Sequence, residues 1–447
     1  MRVAVMGQGY VGLTGAIALA EQGHDVVGVE RDPGRLSMLR AGTSPIYEPG
    51  VPEALARLRG SGRLVFAADT AAEHRRHPFD IVLVTVGTPP GPDGAADLTQ
   101  VRSALDQVAA LDPTPSVVLK STVPPGTSAL LLDTYTGLRD TYAYSPEFLN
   151  QGSALEDWRT PSRIVAGLWS QDMLPLLRAL YGDAPSPWVV TTPTSAEMVK
   201  YASNAFLATK ISFANEMARL CAQPDVHVDD VMRGAGHDPR IGDAFLRPGL
   251  GFGDSCLPKD TSALRRWAAD LGIPTPLLDA TTAVNAAQPA LVVDMLREEF
   301  GPALAAARVA VLGVRYEPWS DDIRAAPSGL VIPELTRLAG EVRVWDPAMD
   351  LPTLNGMFPG TVPAASLHEA VHGSQALVVL TEWPEVVGAD WRALTAGLAE
   401  PHVVIDGKNC LPPQALAGLA VRYRGMGTRL VPTAPAPVRA PDRKLAE

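Results

Sequence analysis

Short apolar runs recur through the first part of the chain, each followed by a glycine- or proline-rich turn and a helical piece. Residues 2–6 (Arg-Val-Ala-Val-Met) predict a short buried strand, 13–20 a helix, and 25–29 a second strand. The strand pattern returns at 64–66, 81–86 and 116–120. Runs that are apolar throughout, rather than alternating, fit parallel strands buried on both faces, and their rhythm with helices is that of a doubly wound α/β sheet. From residue 194 the period changes. Ser195-Ala196-Glu197 opens a helical run through Lys200, Asn204 and Lys210 to Cys221, with Thr194 or Ser195 as its cap, and 275–300 reads as helical again. A second sheet pattern starts at 307–313 and continues at 342–345, 376–380 and 402–405. The stretch from Val431, with Pro432, Pro435, Pro437 and Pro441, is Pro/Ala-rich and reads as disordered. The expected organisation is a Rossmann domain over 1–193, a helical central domain over 194–303, a second Rossmann-like domain over 304–430 and a tail over 431–447.

Composition narrows the partners. The chain of 447 residues is long enough for two or three cores, and a hydrophobic fraction of 46% with 19% charged residues is that of a soluble globular protein. A net charge of −11 leaves no basic footprint for nucleic acid or anionic membrane, so a phosphorylated ligand must be held by local donors. Cys221, Cys256 and Cys410 are too scattered for a disulfide framework, and no pair has metal-ligand spacing, so no metal is expected. The first strand begins at residue 2, which leaves no room for a signal peptide, and no apolar run approaches membrane-spanning length. A cytoplasmic protein with reduced thiols is expected.

Two segments carry chemistry. Gly7-Gln8-Gly9-Tyr10-Val11-Gly12 lies between the first strand and the first helix, the context a dinucleotide fingerprint requires. Gly7 would make the tight turn, Gly9 would admit the pyrophosphate and Gly12 would let helix and strand pack closely, with the helix N-terminus facing the phosphates. Glu30 ends the second strand where a carboxylate accepts ribose hydroxyls and repels a 2′-phosphate, so NAD is expected over NADP, although Arg31 beside it would tolerate a phosphate. The loops Gly87-Thr88-Pro89-Pro90 and 121–127 follow strands and belong at the same carboxyl edge. The second segment is Gly251-Phe252-Gly253-Asp254-Ser255-Cys256-Leu257-Pro258-Lys259-Asp260. Small residues around a cysteine let a substrate approach, and on a helical turn Asp260 shares the face of Cys256, where it could orient water.

Taken together with Pro45-Ile46-Tyr47-Glu48-Pro49-Gly50, Lys120-Ser121-Thr122-Val123-Pro124, Ser145-Pro146-Glu147-Phe148-Leu149, Lys200-Tyr201-Ala202-Ser203-Asn204, Thr381-Glu382-Trp383 and Asp406-Gly407-Lys408-Asn409, these motifs give the chain a resemblance to the UDP-glucose and GDP-mannose dehydrogenase family from residue 1 to about 425. The resemblance implies a four-electron, NAD-dependent oxidation of a nucleotide sugar at C6, with Cys256 forming a thiohemiacetal and then a thioester. It implies that Lys200 and Asn204 stabilise oxyanions, that Asp260 and Thr122 hold the water, and that Glu147 is the general acid–base. Gly7, Gly9, Tyr10, Val11, Gly12, Glu30, Arg35, Gly87, Thr88, Thr122, Lys259 and Arg324 are the implied cofactor contacts. Glu147, Phe148, Leu149, Lys200, Asn204, Arg240, Phe245, Gly253, Tyr316 and Lys408 are the implied substrate contacts, Arg240 reaching in from a neighbouring subunit of a homodimer or larger homo-oligomer. Read without the resemblance, Lys200 and Asn204 fit a solvated helix face, Glu147 a helix start, and each cysteine a buried inert thiol.

Four positions depart from the family pattern. Asp254 stands where a glycine is usual, and Gln151 where a glutamate is usual. Glu317 in Tyr316-Glu317-Pro318 replaces an expected lysine, and Lys408 replaces the commoner arginine, losing a planar fork for phosphate. UDP-glucose is the first expectation for the substrate, with dTDP-glucose or GDP-mannose as alternatives. A lapsed protein that binds NAD and a nucleotide sugar without turnover is the reading of a different class, and a two-electron 3-hydroxy acid dehydrogenase is a further enzyme rival.

Overall fold

The strands at 2–6 and 25–29 form where the apolar pattern places them. In the computed structural model, which describes residues 1–223, 226–253, 256–318, 323 and 326–430, they are β1 (Arg2–Met6) and β2 (Asp25–Val29) of a unit built from Met1–Leu207 and Cys256–Asp279. The sheet continues with β3 (Leu64–Ala67), β4 (Ile81–Val84), β5 (Ser116–Leu119), β6 (Tyr142–Tyr144), β7 (Ile164–Leu168) and β8 (Trp188–Thr191). Its order is β3-β2-β1-β4-β5-β6-β7-β8, and every pair is parallel except β6 with β7. This is the dinucleotide-binding strand order, with its switch point between β1 and β4. Successive β1 residues feed opposite cores: Val3 and Val5 join the cluster around Leu13, Ile17 and Leu177, while Ala4 and Met6 join the one around Val101, Leu105 and Leu131. Burial on both faces explains why the strand reads as unbroken apolar sequence.

The second unit takes the described residues of 208–255, 280–318 and the carboxyl-terminal part. Its sheet comprises β9 (Arg308–Leu312), β10 (Glu341–Trp345), β11 (Val362–Pro363), β12 (Ala376–Val379), β13 (Val403–Asp406), β14 (Arg422–Gly425) and β15 (Thr428–Leu430). The order, β11-β10-β9-β12-β13-β14-β15, repeats the first sheet, with one antiparallel pair, β14 with β15. The tail 431–447 lies outside the described residues.

Helical segments separate the two sheet patterns along the chain: Pro193–Cys221, Val228–Gly236, Leu257–Asp270 and Pro276–Phe300. The first starts earlier than the sequence pattern indicates. Pro193 takes the first helical position, where its missing N–H costs nothing, and Thr192 Oγ1 accepts the Ser195 N–H at 3.3 Å, so Thr192 is the cap rather than Thr194 or Ser195. No helix among the described residues is long and apolar enough to cross a membrane.

Candidate active site

At the carboxyl end of β1 the chain turns through Gly7, whose φ of +95° is one that side chains rarely adopt, into the Tyr10–Glu21 helix. Gly9 caps that helix with no side-chain hydrogen bond, so first-turn N–H groups face outward. A Cβ on Gly9 would meet nothing within 4 Å, whereas one on Gly12 would lie 1.8 Å from the Gly7 carbonyl oxygen. Gly12 is therefore a packing requirement and Gly9 a point of open approach. Tyr10 donates from its hydroxyl to the Tyr47 carbonyl at 3.3 Å, and the Val11 carbonyl accepts Trp158 Nε1–H at 3.2 Å. Glu30, directly after β2, is buried and accepts the N–H groups of Gln8 (3.2 Å) and Asp32 (2.9 Å), which ties the acid to the glycine loop. Arg35 is half-buried on the first turn of the Pro33–Ala41 helix. Gly87 and Thr88 follow β4, and Thr88 Oγ1 donates to the Thr122 carbonyl at 2.8 Å, joining two loops at the carboxyl edge. An uncapped helix N-terminus, an open glycine and a placed carboxylate fit the pyrophosphate and ribose of NAD.

A second constellation gathers on the first half of the Pro193–Cys221 helix. Lys200 and Asn204 are buried, 4% and 6% exposed, which removes the solvated-face reading. Lys200 Nζ pairs with Glu147 Oε1 at 2.9 Å and stands 5.3 Å from the Phe148 ring centroid. Glu147 Oε2 also accepts the Leu149 N–H at 2.7 Å. Burial pushes the Glu147 carboxyl up, but Lys200, the Leu149 N–H and Lys120 outweigh it and hold the group below its usual range. The mirror holds for Lys200: burial disfavours its charge, and Glu147, Asp260 and Cys256 overcome that and raise its pKa. Glu147 is thus an anion and Lys200 a cation at neutral pH.

Asn204 Nδ2 donates to Asp260 Oδ2 at 2.6 Å, and Lys259 Nζ to Asp260 Oδ1 at 2.5 Å. The Asp260 N–H donates to the Cys256 carbonyl at 2.9 Å, so thiol and carboxylate are one turn apart at the start of the Leu257–Asp270 helix. Cys256 is half-buried, outside any disulfide, and occupies that helix's N-cap, within the electrostatic reach of Lys200. One unit therefore holds a cysteine thiol, a buried ammonium and two anchored carboxylates.

The remaining candidates lie in the second unit, each in its own setting. Arg240 is 87% exposed and its guanidinium pairs with Asp238 at 2.6 Å. Phe245 holds a φ of +63°, unusual for an aromatic residue, and Gly253 is buried. Lys408 Nζ pairs with Glu382 at 3.0 Å, donates to the Tyr316 carbonyl at 3.1 Å and lies over the Tyr316 ring. Burial disfavours its charge, and Glu382, Tyr316 and Glu317 together raise its pKa. Arg324 and Asp254 lie outside the described residues. Among those described, no group of three or more His, Cys, Asp or Glu is arranged to hold a metal.

Sequence reasoning assigned no role to three buried or stacked charges. Lys120 Nζ, at the end of β5, bonds the carbonyls of Ser145 and Pro146 and the Tyr181 hydroxyl, fixing the loop from which Glu147 projects. The Arg163 guanidinium stacks 3.6 Å from the Phe148 ring centroid. Glu197 is fully buried beside the loop of Thr122. A charged residue closing an apolar strand was a readable signal for Lys120; the other two left none.

A Rossmann unit that fits NAD, followed along the chain by a second Rossmann-like unit, defines the class: an NAD-dependent oxidoreductase. Family models match in series: the NAD binding domain of the UDP-glucose/GDP-mannose dehydrogenase family over residues 1–184, its central domain over 194–287 and its UDP binding domain over 310–413. A UDP-glucose 6-dehydrogenase of Pseudomonas aeruginosa is 40% identical across 96% of this chain and 97% of its own, and one of Rhizobium meliloti 37% identical across 96% and 99%. Among solved structures, a UDP-glucose dehydrogenase of Pyrobaculum islandicum superposes with a TM-score of 0.85 at 37% identity, covering 95% of this chain and 97% of that one. A UDP-D-ManNAc dehydrogenase of Pyrococcus horikoshii gives 0.82 at 28% identity, covering 96% and 99%. The chain belongs to the UDP-glucose/GDP-mannose dehydrogenase family, and its substrate is a nucleotide sugar.

Proposed function

We propose that this enzyme oxidises the C6 hydroxyl of UDP-glucose to the carboxylate through a covalent intermediate on Cys256. The observation that carries the reading is the buried cluster in which Lys200, paired with Glu147, lies within the electrostatic reach of Cys256 and Asp260. NAD, when bound, accepts the hydride in each of two oxidations. Lys200 and Asn204 stabilise the oxygen at C6 as the alcohol loses hydride and proton to become an aldehyde. The Cys256 thiolate then adds to the aldehyde carbon, forming an S–C bond, and loss of the second hydride leaves a thioester. Water held by Thr122 and Asp260 attacks the acyl carbon, Glu147 takes its proton, and the C–S bond breaks to return the thiolate. The sum balances: one alcohol, one water and two NAD give one carboxylate, two NADH and three protons.

The expected domain limits of 1–193, 194–303 and 304–430 are retained in this reading, with Arg324, Tyr316 and Lys408 serving the cofactor and nucleotide. Phe213 and Leu220 are 50% and 64% exposed and seven residues apart on one helix, an apolar stripe that supports a homodimer. Arg240, extended into solvent, suits delivery to a neighbouring subunit's sugar. A thiolate intermediate requires a reducing compartment, which favours the cytoplasm.

A second substrate reading rests on Lys408. Lys408 is engaged by Glu382 and the Tyr316 carbonyl, and this altered nucleotide-side setting is what motivates testing dTDP-glucose and GDP-mannose beside UDP-glucose. Initial rates with the three nucleotide sugars test both readings. Fastest turnover with UDP-glucose supports the first, comparable kcat/KM with dTDP-glucose or GDP-mannose supports the second, and no NADH from any of them contradicts both.

A further inference from the structure

We propose that Glu197 is a positioning residue for this reaction, fastening the loop that carries Thr122 to the helix that carries Lys200 and Asn204. The assignment rests on the reading above, in which Thr122 helps hold the hydrolytic water. Glu197 has no exposed surface, and burying a carboxylate is costly unless its oxygens are satisfied. They are. Oε2 accepts the Gly126 N–H at 2.6 Å, and Oε1 accepts the Ser128 N–H at 2.7 Å and the Ser128 hydroxyl at 2.5 Å. Ser128 and Tyr142 share a further hydroxyl–hydroxyl bond of 2.7 Å.

The loop needs such an anchor. Pro124 and Pro125 have no N–H to offer, and Gly126 turns with a φ of +90° into the Thr127–Thr134 helix, whose first donors have no intrahelical acceptor. On its upstream side the loop is held by Ser121 Oγ, which donates to the Val86 carbonyl, and by Thr88, which donates to the Thr122 carbonyl. On its downstream side Glu197 takes both the Gly126 and Ser128 N–H groups. Glu197 stands three residues before Lys200 and seven before Asn204, on the same buried face of one helix. Any shift of the loop relative to that face moves the Thr122 hydroxyl relative to the ammonium and amide, and a displacement near 1 Å is enough to cost roughly 100-fold in a positioned reaction.

The test is a double-mutant cycle with UDP-glucose and saturating NAD, using Glu197→Gln, Thr122→Ala and the pair. Glu197→Gln keeps the shape and one acceptor oxygen while placing an amide against the loop N–H groups, so the fold is retained where Glu197→Ala fails. A kcat reduced roughly tenfold is expected for E197Q, with the KM for UDP-glucose changed less than about twofold. The double variant is expected to be no slower than the slower single one, because both changes act on one step. Intact-mass analysis at steady state should show more sugar-acylated Cys256 in E197Q than in the parent. An unchanged kcat in E197Q, or a double variant whose loss is the product of the two single losses, overturns the assignment. An unchanged kcat in T122A instead removes Thr122 from the reaction, and the assignment falls with it.

Discussion

Replacing Lys200 with methionine isolates the energetics of the site from its chemistry. The ammonium and the Glu147 carboxylate stand 2.9 Å apart with side chains only 5% and 10% exposed. At an effective dielectric of about 20, that separation gives roughly 6 kcal/mol of gross attraction, much of it offset by desolvation. Removing one partner of such a pair leaves the other buried without compensation, at roughly 3–5 kcal/mol. Glu147 keeps the Leu149 N–H at 2.7 Å and the field of Lys120, so the low end applies, about 3 kcal/mol. At roughly 2–4 °C per kcal/mol for a unit of 150–250 residues, K200M should melt about 6–12 °C below the parent. The pH dependence fixes the cause. Glu147 is depressed in the folded state, so the pair stabilises above the unfolded carboxylate pKa, and that stability is lost as pH falls through the folded value. Lys200 is raised, so its side of the pair is lost only as pH rises through its elevated value. In K200M the buried Glu147 can protonate instead, and the gap from the parent should narrow between about pH 8 and about pH 5. Thermal melts across that range measure it, and Glu147→Gln added to K200M should restore part of the loss. A loss below about 1 kcal/mol that does not change with pH would refute the pairing as an energetic unit.

Cys256→Ser should lower carboxylate-forming turnover by about 1,000-fold or more, since a serine hydroxyl at neutral pH is a far weaker nucleophile than a thiolate, and undiminished turnover would remove the thiol from the reaction. Burial pushes Glu197 up to about 7, against the pull of its hydrogen bonds. Because this raised carboxyl binds its proton more tightly folded than unfolded, its contribution should fall by about 3 kcal/mol as pH rises from about 4.5 to about 7, and E197Q melts should lack that component. Lys408→Arg should lower the KM for UDP-glucose about threefold or more at unchanged kcat by presenting a planar fork to the diphosphate, and an unchanged KM would argue that residue 408 does not meet it.

The sheets were legible because strands buried on both faces carry no polar alternation: 81–84 and 376–379 are fully buried and apolar. β6, β7 and β8 were not: Tyr142–Tyr144 is only three residues long, Ile164–Leu168 includes Ala166 and Gly167, which favour strands weakly, and Val189 and Val190 of β8 are 42% and 39% exposed at the sheet edge, where no core demands a pattern. The residue types of the candidate site were readable as motifs, but their environment was not. A lysine and an asparagine four apart on a helix look alike whether solvated or enclosed. What encloses them is Glu147, more than fifty residues upstream, and Asp260, 56 residues beyond Asn204. Glu197 was silent for the same reason, because its acceptor role depends on Gly126 and Ser128, 71 and 69 residues away. Thr192 displaced Thr194 and Ser195 as cap because Pro193 can begin a helix, which the pattern from Ser195 did not include.

The central claim is that two oxidations occur on one sugar before release. Its most direct test is the NADH formed per UDP-glucose consumed, read at completion with excess NAD. The account predicts a ratio near two with a uronic acid as product, the balance that thioester hydrolysis requires. A ratio near one, with an aldehyde or ketone released, would contradict it.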